Sequence, residues 1–291
     1  MTIEDGHAAT PFAVQSGAAV LAGLEQGEGL PVVFLHAGVG DKRMWLEQMR
    51  AVADAGWHAI AYDRRGYGET ESPDEAFDHL DDLEALLDAR DIHAALFVGC
   101  SLGGGLALDF ALRHPGRVIG LVLLGTSVTG APWSVTADEQ AVEMAGDDAW
   151  ERGDRDLLNR VEAHAWLDGP RAQSGRVGGA ARALFLDMNG NALAKPTLNG
   201  EAERPEAWSR METVAAPSLL IVGSEDFSAI IERHETLSET MPNAFAVLLD
   251  GVAHLPSIER PDLVNSLLLQ FLDAFDGEDE DEDRGDGDDE D

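Results

Sequence analysis

The sequence predicts an α/β protein: a mostly parallel central sheet with helices on both faces, interrupted by a helical insertion. Six short apolar runs recur along the chain. Each is continuous rather than alternating, as in strands covered on both faces. Amphipathic helical segments separate them, and strand–helix alternation calls for parallel crossovers. The third observation is a break: between about residues 129 and 213 no strong strand candidate occurs.

The strand candidates are residues 32–35, 57–62, 94–98, 118–124, 219–222 and 244–249. Residues 11–27 can add an antiparallel opening hairpin. A helix over 41–54 carries Met44, Trp45, Met49 and Val52 on its apolar face. One over 75–89 carries Phe77, Leu80, Leu83 and Leu87. A third, 102–114, stops before Pro115, and Pro261 opens a last helix through 272, a position that suits proline. Helical segments at 138–146, 155–166 and 179–188 fill the break, with breakers at Pro170, Pro196 and Pro205. The expected layout is a core from 1–128 and 214–275, a helical cap at 129–213 and a tail at 276–291. Trp133, Trp150, Trp166 and Trp208 fall in the cap. They either line a substrate chamber or form the cap's own small core.

The 291 residues carry 55 acids against 20 lysines and arginines, a formal charge of −35. Nucleic-acid and anionic-lipid partners need clustered basic residues and are excluded. No apolar run reaches the roughly 18–20 residues that span a bilayer. Residues 1–10 lack the basic start and apolar stretch of a secretory signal. Cys100 is alone, so neither an intramolecular disulfide nor a cysteine-cluster metal site can form. A cytoplasmic protein is expected, without metal or cofactor, as a monomer or homodimer.

Residues 276–291 hold twelve acids against Arg284, and the remainder still carries −24. Such a tail cannot bury a core and is expected to be a disordered, solvated appendage. The rest should repel itself in dilute buffer, and molar salt, with a Debye length of about 3 Å, would screen that repulsion. Only Lys42 and Lys195 are lysines. Acidic, lysine-poor surfaces resemble those of proteins from microbes with molar salt in the cytoplasm, so a salt-dependent fold is expected.

The most informative stretch is Gly99-Cys100-Ser101-Leu102-Gly103. It follows a strand and opens a helix, the context that G-x-S-x-G requires. The chain turns sharply there, glycines make room, and the serine oxygen is exposed at a helix N-terminus. The N–H of Leu102 is the natural first donor to an oxyanion. Cys100 is a competing nucleophile by reactivity. A motif centred on it would need glycine where Val98 and Leu102 stand, so Ser101 is preferred.

A serine needs a base. Of nine histidines, His254 lies in a loop after the last strand and before the last helix. That places it at the strands' carboxyl ends, on the same edge as Ser101. After the 219–222 strand comes Gly223-Ser224-Glu225-Asp226-Phe227. Asp226 or Glu225 could orient the imidazole. Asp226 is preferred for its reach.

Four segments carry a resemblance to the α/β-hydrolase superfamily, over roughly residues 12–275. They are the elbow at Ser101, the acid loop ending in Asp226, the histidine segment from Ala253 to Pro261, and Tyr62-Asp63-Arg64-Arg65-Gly66-Tyr67-Gly68-Glu69-Thr70. The last is similar to the family's D-x-R-G-x-G-x-S turn, in which Asp63 and Arg65 would be structural. His36-Ala37-Gly38-Val39-Gly40 is similar to the family's His-Gly segment. The resemblance implies a second oxyanion donor at the Gly38 N–H, with Ala37 in place of the usual glycine and His36 as a brace. It also implies acyl transfer to water by Ser101, His254 and Asp226 on a small or medium ester or lactone. Carboxylesterases and 3-oxoadipate enol-lactonase-like proteins are the nearest in character. Carbon–carbon bond hydrolysis, cofactor-free haloperoxidase activity, a non-catalytic ligand-binding role and an interaction protein acting through its tail are the alternatives.

Overall fold

The computed structural model describes residues 8–275. The acidic stretch 276–291, expected to be a solvated tail, lies outside the described residues. The expected opening hairpin forms as β1 (Thr10–Ser16) and β2 (Ala19–Gln26). The apolar runs become β3 (Pro31–Leu35), β4 (His58–Tyr62), β5 (Ala95–Cys100), β6 (Val118–Leu124), β7 (Ser218–Gly223) and β8 (Ala244–Leu249). They form one sheet in the order β1-β2-β4-β3-β5-β6-β7-β8. β1 pairs antiparallel with β2, and β2 with β4, whereas every pairing from β4 to β8 is parallel.

Alternate residues of the central strands feed two cores. Val33, Leu35, Phe97, Leu121 and Leu123 pack against α2 (His79–Ala89), α3 (Leu102–Arg113) and the end of α7 (Ser228–Thr240). Val32, Phe34, Leu96, Val98 and Val122 pack against α1 (Leu46–Asp54) and α9 (Pro261–Leu272). Each fully buried side chain of this size contributes roughly 1.5–3 kcal/mol. Between β6 and β7 lie α4 (Ala137–Glu151), α5 (Arg155–Glu162), a π-helical turn (Ala163–Asp168) and α6 (Gly179–Ala194). A short α8 (Pro256–Glu259) precedes α9.

Three elements differ from the sequence reading. The helix expected from residue 75 starts at His79, because Phe77 instead bridges to Glu201 and the Asp78 side chain accepts from the Leu80 N–H at 2.8 Å. The 244–249 run is the sheet edge rather than a covered strand, so Phe245 and Leu248 are exposed. Helix α7 has no counterpart in the sequence reading. Its buried face carries Arg233 and His234 beside Ile230 and Leu237, which breaks the apolar period.

The site's place follows from topology. β4 lies on one side of β3 and β5 on the other. Strand order therefore reverses between β3 and β5, and a crevice opens there beyond the strands' carboxyl ends.

Candidate active site

Ser101 caps the N-terminus of α3 with φ 53° and ψ −117°, a left-handed conformation that costs a non-glycine residue of order 1–3 kcal/mol. Backbone hydrogen bonds hold it there. Its N–H donates to the Leu124 carbonyl at 2.8 Å. Its own carbonyl accepts from the Gly105 N–H at 3.0 Å, the Ser127 N–H at 3.1 Å and the Ser127 hydroxyl at 3.2 Å. The flanking glycines are steric requirements. A Cβ on Gly99 would lie 2.6 Å from the Gly103 carbonyl oxygen, and one on Gly103 2.1 Å from that of Leu35.

His254 and Asp226 meet as an ion-pair geometry away from solvent. The His254 Nδ1–H donates to Asp226 Oδ2 at 2.8 Å, and both side chains are buried. Asp226 Oδ1 accepts from the Phe227 N–H at 2.8 Å. With Nδ1 as donor, the lone pair of the neutral imidazole is on Nε2. Glu225, the alternative acid, donates its N–H to the Val252 carbonyl at 2.9 Å, and it is Asp226 that takes the His254 hydrogen bond.

Ser101 and His254 line one cavity of about 360 Å³, together with Gly38, Leu102, Trp133 and Trp166. Gly38 faces the Leu102 side chain: a Cβ on Gly38 would lie 2.8 Å from the Leu102 Cδ1. Cys100 is buried, its thiol donates to the His254 carbonyl at 3.6 Å, and burial pushes the thiol well above its usual range. It is a buried neighbour of the site, in a setting that disfavours the nucleophilic thiolate.

His36 takes the bracing position. Its Nε2 accepts from the Arg64 N–H at 3.0 Å and its Nδ1–H donates to the Ala37 carbonyl at 2.7 Å. Burial, then the Arg64 charge, lowers it to about 3. Asp63 holds the neighbouring turn, accepting from the Lys42 and Glu69 N–H groups at 2.8 and 2.7 Å and from the Lys42 ammonium at 2.6 Å. Arg65 pairs with Asp82 at 2.9 Å and Glu75 at 2.8 Å.

Several contributors were invisible in the sequence. Gly125 has φ 50°, and a Cβ there would lie 2.8 Å from His254 Nδ1, so glycine makes room for the imidazole. Its place directly after a strand was the available signal. The π-helical turn sets the Trp166 ring 4.7 Å from the His254 ring. Arg171 donates to the carbonyls of Ser224 and Asp226 at 3.1 and 2.9 Å and is itself held by buried Glu139. Glu259 accepts from the Ala253 N–H at 2.9 Å and from Arg176, which also donates to the Gly251 carbonyl at 2.8 Å. These arginines come from the segment between β6 and β7 and fix both loops on which the acid and histidine stand. Trp150 and Trp208 lie elsewhere: Trp150 faces side cavities and Trp208 packs on the main core.

Among the described residues, no cluster of three or more His, Cys, Asp or Glu side chains is placed to hold a metal ion. No helix among them is long and apolar enough to cross a membrane.

Comparison with known proteins places this geometry. A family model described as alpha/beta hydrolase fold matches residues 31–261. The 2-hydroxymuconate semialdehyde hydrolase of Pseudomonas putida is 29% identical over 263 aligned residues, covering 85% of this chain and 89% of that one. A non-heme chloroperoxidase of Streptomyces lividans is 26% identical, over 84% of this chain and 92% of that one. Est816, described as an N-acyl homoserine lactone degrading enzyme, superposes with a TM-score of 0.70 at 26% identity, covering 89% of this chain and 99% of the other.

Proposed function

The chain belongs to the alpha/beta-hydrolase family, and we propose that within it the protein is a serine hydrolase of small or medium carboxylic esters or lactones. The observation that carries this reading is the shared cavity: Ser101 and His254 face one space, and His254 Nδ1 is already committed to Asp226. The helical segment 129–213 acts as a cap over that space.

In this reading His254 Nε2 takes the proton of the Ser101 hydroxyl as its oxygen attacks the substrate carbonyl. Asp226 holds the imidazole in the required tautomer and stabilises the imidazolium. The N–H groups of Leu102 and Gly38 receive the oxyanion where free helix N–H groups already favour negative charge. His254 then gives its proton to the leaving oxygen, which departs and leaves an ester on Ser101. Water, deprotonated by the same nitrogen, attacks that ester, and the acid is released as Ser101 regains its proton.

The serine at position 101 matters for the choice of reaction. Ring opening of epoxides through an ester intermediate needs a carboxylate at that position. Carbon–carbon bond hydrolysis or haloperoxidase activity remains the second reading, favoured by the 2-hydroxymuconate semialdehyde hydrolase and chloroperoxidase relatives. Turnover of 4-nitrophenyl esters with a burst of one nitrophenol per chain is expected. Cleavage of vinylogous 1,5-diketones without ester turnover would transfer the assignment to the second reading.

A further inference from the structure

The chain is strongly acidic, and most of its cations are neutralised in place. Among the described residues, those with no described carboxylate within 4.0 Å are Arg64, Arg155, Arg160, Lys195, Arg210 and Arg233. Four of these six line the Ser101 cavity or the one beside it. Arg233 lines the Ser101 cavity. Arg64, Arg155 and Lys195 line a second cavity of about 300 Å³, which shares Gly38, Tyr67, Leu102 and Glu162 with the first.

Arg64 is the least expected of them. It is 4% exposed, and its Nε has no hydrogen-bond partner. Its guanidinium lies 4.8 Å over the Tyr67 ring, and Nη2 reaches only the His36 carbonyl, at 3.3 Å. Burying a cation without a counter-ion is costly, so such a group is retained where something supplies the charge. Lys195 is similar: its ammonium donates to the carbonyls of Tyr67 and Thr70 at 2.8 and 3.3 Å. The cavity's own carboxylates do not neutralise these cations: Glu162 accepts from Asn189 at 2.6 Å, Glu201 is exposed, and neither lies within 4.0 Å of a described lysine or arginine nitrogen. A third cavity of about 500 Å³ flanks the Ser101 cavity; it is walled by Trp133, Trp150, Trp166 and Phe227, with Glu143 and Asp147 on its lining and no lysine or arginine. The Ser101 site therefore has one cationic arm and one aromatic arm.

We infer that the cationic arm seats a carboxylate of the substrate, so that the enzyme prefers half-esters or lactones bearing a free carboxylate, bound by Arg64 and Lys195 while Ser101 attacks the ester carbonyl. This inference rests on the hydrolase reading above. A net charge of −35 would otherwise repel such substrates, so a preference for them is a local property of this arm.

The test compares kcat/KM for monoethyl esters of four- to eight-carbon dicarboxylic acids with that for the matching ethyl alkanoates, at fixed pH and ionic strength. The best half-ester should be favoured at least about tenfold, the scale of one charge-assisted contact. Lys195→Met should lower that ratio about tenfold, mainly through KM, while Lys195→Arg keeps most of it. Arg160→Met, an exposed cation outside these cavities, should leave the ratio unchanged. Alkanoate turnover with a ratio near one in the wild type overturns the inference and leaves the hydrolase reading standing. A preference that survives both Lys195→Met and Arg64→Met also overturns it. Hydrolysis of neither series overturns it too, and fluorophosphonate labelling of Ser101 then decides whether the hydrolase reading falls with it.

Discussion

The loops directly beyond β5, β6 and β8 and the helical segment that follows between β6 and β7 wall the same cavity by opposite means. In the loops, backbone geometry does the positioning. Ser101 is held at φ 53° by four hydrogen bonds to its main chain, and glycines at 99, 103 and 125 remove side chains that would collide. In the helical segment, side chains do it. Trp133 and Trp166 pack on Phe227 at 5.6 and 4.8 Å, and Arg171 and Arg176 reach across to loop carbonyls. The difference teaches where each property is encoded. The candidate reactive groups are specified locally by short rigid patterns, whereas the shape and charge of the cavity come from contacts between residues far apart in sequence.

If the loops carry the chemistry, the largest effect should come from the acid. Asp226→Asn should lower kcat about 10⁴-fold, because the imidazole would then be held in the wrong tautomer. Glu225→Gln should change it less than about threefold. Steady-state kinetics on one aryl ester settles the pair, and the reverse ranking would move the acid to Glu225.

The next effect is on the fold. Gly103→Ala places a Cβ against the Leu35 carbonyl, between α3 and β3. Helix and sheet would have to separate, and a loss of at least about 3 kcal/mol is expected in urea unfolding. An alanine in the helical segment at Gly146, where a Cβ would meet only Leu158 and Val161 at 3.9 Å, should be neutral or slightly stabilising.

A smaller effect separates the site's histidine from two that share its edge of the sheet. His36 and His234 are buried, and burial, then Arg64 and Arg233 respectively, lowers each to about 3. Both stay neutral in the native protein while the unfolded chain binds protons near 6.5. Their contribution is therefore complete above about pH 6.5 and is lost as pH falls toward 3. Each removes about 1.4 kcal/mol per pH unit in that interval. Unfolding free energies at pH 6.5 and 5.5 should differ accordingly, with buried His79, also lowered by burial, adding to the slope, and His234→Gln should remove about 1 kcal/mol of the difference. An unchanged slope would place His234 in a more solvated setting than Thr126, whose N–H it accepts at 2.8 Å, implies.

The same division explains what the sequence revealed. Ser101, Asp226 and His254 were legible as candidates because each sits in a loop or turn directly beyond a strand, Gly38 came only from the family resemblance, and the continuous runs exposed the parallel sheet. Helix α7 was not, because Arg233 and His234 on its buried face look like surface residues in one dimension. The π-helical turn read as plain helix to Trp166, since Ala163-His164-Ala165-Trp166-Leu167-Asp168 holds no proline or glycine to mark the change. Arg171, Arg176 and Gly125 act through partners some 50 to 130 residues away, as in the 55-residue separation of Arg171 from Asp226. No local pattern records such pairs.

The central claim is that Ser101 is an activated nucleophile, and fluorophosphonate labelling mapped by mass spectrometry tests it most directly. The account predicts a single adduct on Ser101, absent in Ser101→Ala and formed at least about 100-fold more slowly in His254→Gln, which removes the base. An adduct elsewhere, or equal labelling with and without His254, would contradict it.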